Sequence, residues 1–114
     1  MLNDSHALDR TFQALADPIR RGLLATLSQG PASVSELARP LPISLPAVLQ
    51  HLQSLEASGL IRTEKVGRTR TCTIEPEALS AVESWIADQR RAWEARLDRF
   101  EDHLHAITPK GEIQ

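Results

Sequence analysis

A single cysteine, Cys72, occurs among 114 residues, so no internal disulfide can staple this chain, which suits a reducing cytoplasm. Tyrosine is absent, and two Trp and two Phe are a thin aromatic supply for a core. Burial through self-association is therefore expected. No run approaches the roughly 18 apolar residues of a membrane span. The start, Met1-Leu2-Asn3-Asp4-Ser5, has neither the basic residues nor the apolar stretch of a secretory signal. The five glycines are scattered at turns and form no phosphate-binding loop. With no nucleophile elbow and no metal-ligand cluster either, neither an enzyme nor a cofactor is expected. The length suits one domain.

An excess of positive charge is also lacking: the net charge is −2. Its distribution is uneven. Residues 17–70 carry seven Arg/Lys against four Asp/Glu, whereas residues 71–114 carry five against nine. Arg62, Lys65, Arg68 and Arg70 crowd one short stretch, with Glu64 the lone acid among them. Local positive charge, not the total, governs contact with phosphates. A hairpin that merely guards its edges with basic side chains is the plainer alternative.

What is present most clearly is Ile43 to Leu60, ISLPAVLQHLQSLEASGL. Ser44 stands where a helix N-cap is wanted, and Leu45, Val48, Leu52 and Leu55 share one side of a 3.6-residue wheel. The other side, Pro46, Ala47, Gln50, Gln53, Ser54 and Ala57, is short, neutral and able to hydrogen-bond. Gly59 suits the helix end. Such a helix can lie close against another surface, and a DNA major groove is one. Upstream, Ser33-Val34-Ser35-Glu36 is a capping box opening a short helix, Val34 to Leu41, that Pro40 and Pro42 must end. Two short helices about a tight turn read as a helix-turn-helix. Downstream, 61–66 and 69–74 are rich in Thr, Val and Ile around Gly67-Arg68, a hairpin pattern. A helix-turn-helix followed by a basic hairpin is a winged helix.

The flanks read as scaffold and pairing surface. Asp17-Pro18 is an N-cap followed by proline at the first helical position. Leu8, Phe12 and Leu15 form an apolar stripe before it, and Ile19, Leu23, Leu24 and Leu27 another after it. From Pro76 to about Ile107 a long helix carries Leu79, Val82, Ile86, Trp93, Leu97, Phe100, Leu104 and Ile107 within about 80° of arc. So long a stripe outruns a domain this small, which predicts a two-fold homodimer through the terminal helices, with Leu8 and Phe12 contributing. The alternative is a helix folded back on its own domain. The expected organisation is one mainly α winged-helix domain over 1–114, ordered α-α-α-α-β-β-α: helices over 5–30, the helix-turn-helix over 33–59, the wing over 61–75, the dimerisation helix over 76–107 and a flexible tail over 108–114.

Leu15-Ala16-Asp17-Pro18-Ile19-Arg20-Arg21, Val34-Ser35-Glu36-Leu37-Ala38, Ser44-Leu45-Pro46-Ala47-Val48, His51-Leu52, Leu55-Glu56 and Gly59-Leu60-Ile61 together resemble the ArsR family of bacterial winged-helix repressors. The resemblance covers about residues 8 to 107. It implies a homodimer that binds an inverted-repeat operator in double-stranded DNA and usually represses transcription. By matching position, Ser44, Leu45, Pro46, Leu49, Gln50 and His51 would face or flank DNA, with Arg68 and Arg70 on the wing. Ala47, Ser54, Arg62 and Lys65 complete the expected DNA-binding set.

The chain departs from the family pattern where readout is decided. Relatives often read SxPAVSKHLK, whereas Leu49 stands at the Ser position and Gln50 at the Lys position. No Lys or Arg occurs between Arg39 and Arg62. Leu49 either packs at the edge of the apolar face or touches a thymine methyl, and Gln50 can pair with adenine N6 and N7. His51, beside the apolar face, reads as a core-edge histidine bonding a backbone carbonyl ahead of a base contact. The cysteine pairs and the acidic and histidine ligands of the family's metal sensors have no counterpart, since His103 and His105 fall on different faces of the last helix. No metal is expected. Two rivals remain: a winged-helix module that binds protein, and a regulator responding to oxidation at Cys72 or to a small molecule near Trp85 and Trp93.

Overall fold

The computed structural model describes residues 2–107, with side chains from His6 onward. The expected flexible tail over 108–114 lies outside the described residues. In order, the elements are α1 (Leu2–Leu15), α2 (Pro18–Leu27), β1 (Ala32–Ser33), α3 (Val34–Ala38), α4 (Leu45–Ala57), β2 (Ile61–Val66), β3 (Thr69–Ile74) and α5 (Pro76–Ile107). Two compact units divide the chain, the first ending at Val82 and the second beginning at Glu83. The first holds the helix-turn-helix, the sheet and the opening turns of α5. The second is the remainder of α5. No described helix is long and apolar enough to cross a membrane.

The sheet has three strands in the order β1-β3-β2, one more than the expected hairpin. Ala32 and Ser33 pair antiparallel with Cys72 and Thr71. Two residues are too few to show a strand period, and Ser33 also does the work of a cap. Its hydroxyl accepts from the Glu36 N–H at 3.1 Å while its own N–H donates to Glu36 Oε1 at 2.8 Å. Accepting the Ser33 N–H and the Ser33 hydroxyl proton lowers the Glu36 pKa below its ordinary value.

Helix α4 ends in a Schellman motif. The Leu60 N–H bonds Leu55 O and the Gly59 N–H bonds Glu56 O, each at 3.0 Å, and Gly59 sits at φ +81°. Leu55 and Leu60 are both fully buried, so the helix stop also adds two side chains to the core. That core gathers Leu23, Leu24 and Leu27 from α2, Leu37 from α3, Val48, Leu52 and Leu55 from α4, and Ile61 and Cys72 from the sheet. Replacing Leu55 with Ala leaves a cavity beneath the helix stop. We expect a loss of about 2–5 kcal/mol in urea unfolding with the fold retained.

Pro18 opens α2 as expected, but Asp17 makes no side-chain capping bond. Its carboxylate turns elsewhere: Oδ2 lies 3.7 Å from His51 Nδ1 on α4.

Candidate nucleic-acid interface

Ser44 caps α4, its hydroxyl accepting from the Ala47 N–H at 3.3 Å, and Pro46 fills the first turn. With Val48, Leu52 and Leu55 anchored below, the faces of α4 are fixed. Ser44, Leu45, Pro46, Leu49, Gln50, Gln53 and Ser54 are exposed, Ala47 is half-buried, and the exposed face carries no charge until Glu56. Leu45 is 53% and Leu49 37% exposed, so Leu49 sits at the rim of the apolar face and is available to a partner. Gln53 belongs to the same face. Its wheel position beside Pro46 and Gln50 puts it there, although it is not in the DNA-binding set expected from the sequence.

The wing is a tight hairpin. Val66 pairs with Thr69, which leaves Gly67 and Arg68 as a two-residue turn. Gly67 has φ +64° while Arg68, like every other described non-glycine residue, does not have positive φ, the pattern of a type II′ turn. Arg68 is thereby displayed at the tip.

The four basic residues expected to contact DNA are not equivalent. Arg62, at the base of the hairpin, is ion-paired with Glu75. Arg70 donates to Thr63 Oγ1 at 2.9 Å, and Thr63 in turn donates to Glu56 Oε2 from its hydroxyl at 3.0 Å and its N–H at 3.2 Å. This chain of bonds ties β3 to β2 and β2 to α4, setting the wing against the helix. Arg70 also faces Lys65 directly across the strands, a like-charge pair. Lys65 and Arg68 are exposed. Between helix and wing runs a groove of about 450 Å³ whose walls include Leu45, Leu49, Lys65, Arg68 and Arg70. A neighbouring recess of about 310 Å³ adds Gln53, Glu56 and Thr63. The structure thus brings Leu45, Leu49, Lys65, Arg68 and Arg70 together and sets Arg62 apart.

His51 also stands apart. It is half-buried on the flank of α4 away from the wing, and its Nδ1 meets a guanidinium, Arg20 Nη1, at 3.3 Å. The backbone carbonyl expected as its partner is not what it meets. Ser54 lies on this flank too, lining a recess with Arg10 and Arg20.

The residues expected at a dimer seam divide between the two units. Leu79 packs against the core and Val82 is buried, so these two spend their apolar area within the first unit. Leu8 on α1 is half-buried, and Phe12 is partly exposed. In the second unit Trp93 is 59%, Leu97 47% and Phe100 59% exposed, and Ile86 and Leu104 are exposed beside them. The polar side of α5 carries Arg90–Glu94 and Asp88–Arg91 ion pairs, solvated pairs of small worth.

Cys72 is fully buried in β3, and its thiol pKa is raised, first by desolvation and then by the Glu56 carboxylate, against a smaller opposing effect of Arg70. A thiol held protonated and out of solvent is a poor redox sensor. Among the described residues no group of three His, Cys, Asp or Glu side chains is placed to hold a metal ion.

A capped helix pair whose second helix presents a small, neutral face beside a basic hairpin defines a winged helix-turn-helix. The comparisons with known proteins agree. A family profile described as a helix-turn-helix domain matches residues 15–64. The HTH-type transcriptional regulator Rv2034 of Mycobacterium tuberculosis is 42% identical over 92 residues, 81% of this chain and 83% of that one. The HTH-type transcriptional repressor SmtB of the same species is 36% identical over 62 residues, 54% of this chain and 46% of that one. The crystal structure of an ArsR family transcriptional regulator, RHA00566, superposes with a TM-score of 0.77 at 54% identity, covering 79% of this chain and 93% of that one. The chain belongs to the ArsR family and is a DNA-binding transcriptional regulator.

Proposed function

We propose that the protein is a homodimeric repressor whose two α4 helices enter successive major grooves of an inverted-repeat operator, about 34 Å apart. The observation that carries this reading is the groove between α4 and the wing. Its helix wall, Leu45 and Leu49, is uncharged, and its wing wall carries Lys65 and Arg68. Ser44, Leu45, Pro46, Ala47, Leu49 and Gln50 form the helix surface offered to DNA. Lys65 and Arg68 hold phosphates on the wing side of it, with Arg70 bracing the wing. Dimerisation through α5 supplies the two-fold symmetry that an inverted repeat requires. SmtB, a named repressor among the relatives, supports the direction of regulation.

The test is selection from random double-stranded DNA at near-physiological salt, followed by sequencing. An enriched inverted repeat with half-sites one helical turn apart is expected, whereas binding confined to low salt with no enriched sequence defeats the reading. Gln50 carries the largest share of base discrimination on an otherwise uncharged helix. Gln50→Ala is expected to cost about 1–3 kcal/mol on the selected site and almost nothing on random duplex, the signature of a lost bidentate contact to adenine.

A further inference from the structure

Arg20 occupies the corner between α1 and α2. Its Nε donates to Ala14 O at 2.8 Å and its Nη2 to Gln13 O at 3.0 Å, closing the C-terminal end of α1. One nitrogen remains, and Nη1 lies 3.3 Å from His51 Nδ1 on α4. A guanidinium has only donors, so this bond requires Nδ1 to be the bare nitrogen and Nε2 to carry the proton of the neutral ring. On the same side lies Asp17 Oδ2, 3.7 Å from Nδ1. That oxygen is buried and has no hydrogen-bond partner among the described residues. An unpaired buried carboxylate oxygen is costly, and His51 beside it becomes a donor at Nδ1 when its ring is protonated.

We propose that Arg20 and His51 position the recognition helix for DNA, and that Asp17 provides a second seat which His51 takes when its ring is protonated. The proposal rests on α4 being the helix that reads DNA. With no cation along its length, α4 owes its placement to its packing and to two polar ties on opposite flanks. One is the Glu56–Thr63–Arg70 chain to the wing. The other is Arg20, through His51, to the end of α1.

Imidazole is the side chain whose charge ordinarily changes between about pH 5 and 8. A proton on Nδ1 would bring two cations together at the Arg20 contact and remove the acceptor that Arg20 uses. The same proton can be donated to Asp17. The ring then changes partner and the tie to α1 is lost. Of the other charged groups on elements packed against α4, Arg21 of α2 donates to Leu15 O at the same corner. Arg10 of α1 lines the same recess as Arg20, and Glu56 of α4 is committed to Thr63. From α3 and β2, Glu36 is held by Ser33 and Arg62 by Glu75. The direction of the effect is diagnostic. Added positive charge by itself strengthens DNA binding, whereas loss of this tie weakens it.

The experiment follows the full-length protein on its selected operator at constant salt, with the imidazole nitrogens read by NMR on free protein. At pH 8 the His51 ring is expected as the Nε2–H tautomer, and operator affinity falls about fivefold between pH 8 and pH 6. His51→Leu, which keeps an apolar edge but offers no acceptor, weakens binding about tenfold at pH 8 with the folded state retained in urea unfolding. His51→Asn places a non-titrating acceptor where Nδ1 stands, so it recovers most of that loss and flattens the pH profile. A Nδ1–H tautomer at pH 8, a Leu variant that binds like the parent, or an Asn variant that keeps the parent's pH profile would each overturn the proposal. Should the parent enrich no DNA sequence, the reading of α4 fails instead, and the ring spectrum still reports separately whether His51 exchanges Arg20 for Asp17.

Discussion

Leu97→Glu is expected to turn the protein into a monomer and to lower operator affinity by about 10²–10⁴-fold. The second half-site contact of a dimer is intramolecular, and losing it forfeits an avidity of that order without touching any residue on α4. Leu97 lies mid-stripe, flanked by Trp93 and Phe100, and all three are about half exposed or more in the single chain. Burying each such side chain against a second α5 is worth about 1.5–3 kcal/mol, and a carboxylate placed among them must instead be stripped of water. Because Leu97 belongs to the second unit, the core of the first should be unaffected. Sedimentation equilibrium checks the oligomeric state, circular dichroism the helix content, and an operator titration the affinity. A variant that remains dimeric would move the pairing surface away from α5.

The same stripe shows what a sequence does and does not reveal. Periodicity from Leu79 to Ile107 correctly places these residues on one side of one helix, because a 3.6-residue repeat is a property of the chain alone. It says nothing about what covers that side. Leu79 and Val82 are taken up by their own core, while the residues from Ile86 onward are left open.

Local chemistry was legible at most caps and turns, although α3, expected to reach Leu41, stops at Ala38. The Ser33–Glu36 box, the Ser44 cap, the Gly59 stop and both hairpin strands stand where their residue types require, each being decided by neighbours a few positions away. The strand β1 was not, since its only signal is pairing with residues about 40 positions on. Asp17 has the identity and position of a cap, yet its carboxylate faces His51, a competition invisible without the fold. Within the interface, residue type put four basic side chains on the wing. Only the cross-strand partners, Glu75 for Arg62 and Thr63 for Arg70, separate those that brace the structure from those whose charge is left exposed.

That separation yields the second large effect. Arg68→Ala is expected to weaken binding to operator and random duplex alike, by about tenfold near 0.15 M salt, and to make the slope of log affinity against log salt shallower by about two. Each phosphate contact contributes roughly 0.9 to that slope, and a dimer loses two contacts. Lys65→Ala should act in the same direction. Arg62→Ala should leave the slope nearly unchanged, because its charge is already matched by Glu75 at the foot of the hairpin. Arg70→Ala falls between them: removing it frees Thr63 and loosens the wing from Glu56, so specific affinity should drop more than the salt slope changes. Operator titrations from 50 to 200 mM salt distinguish these outcomes. If Arg62 and Arg68 shift the slope equally, the wing meets DNA along its whole length, and the division of labour drawn from their partners does not hold.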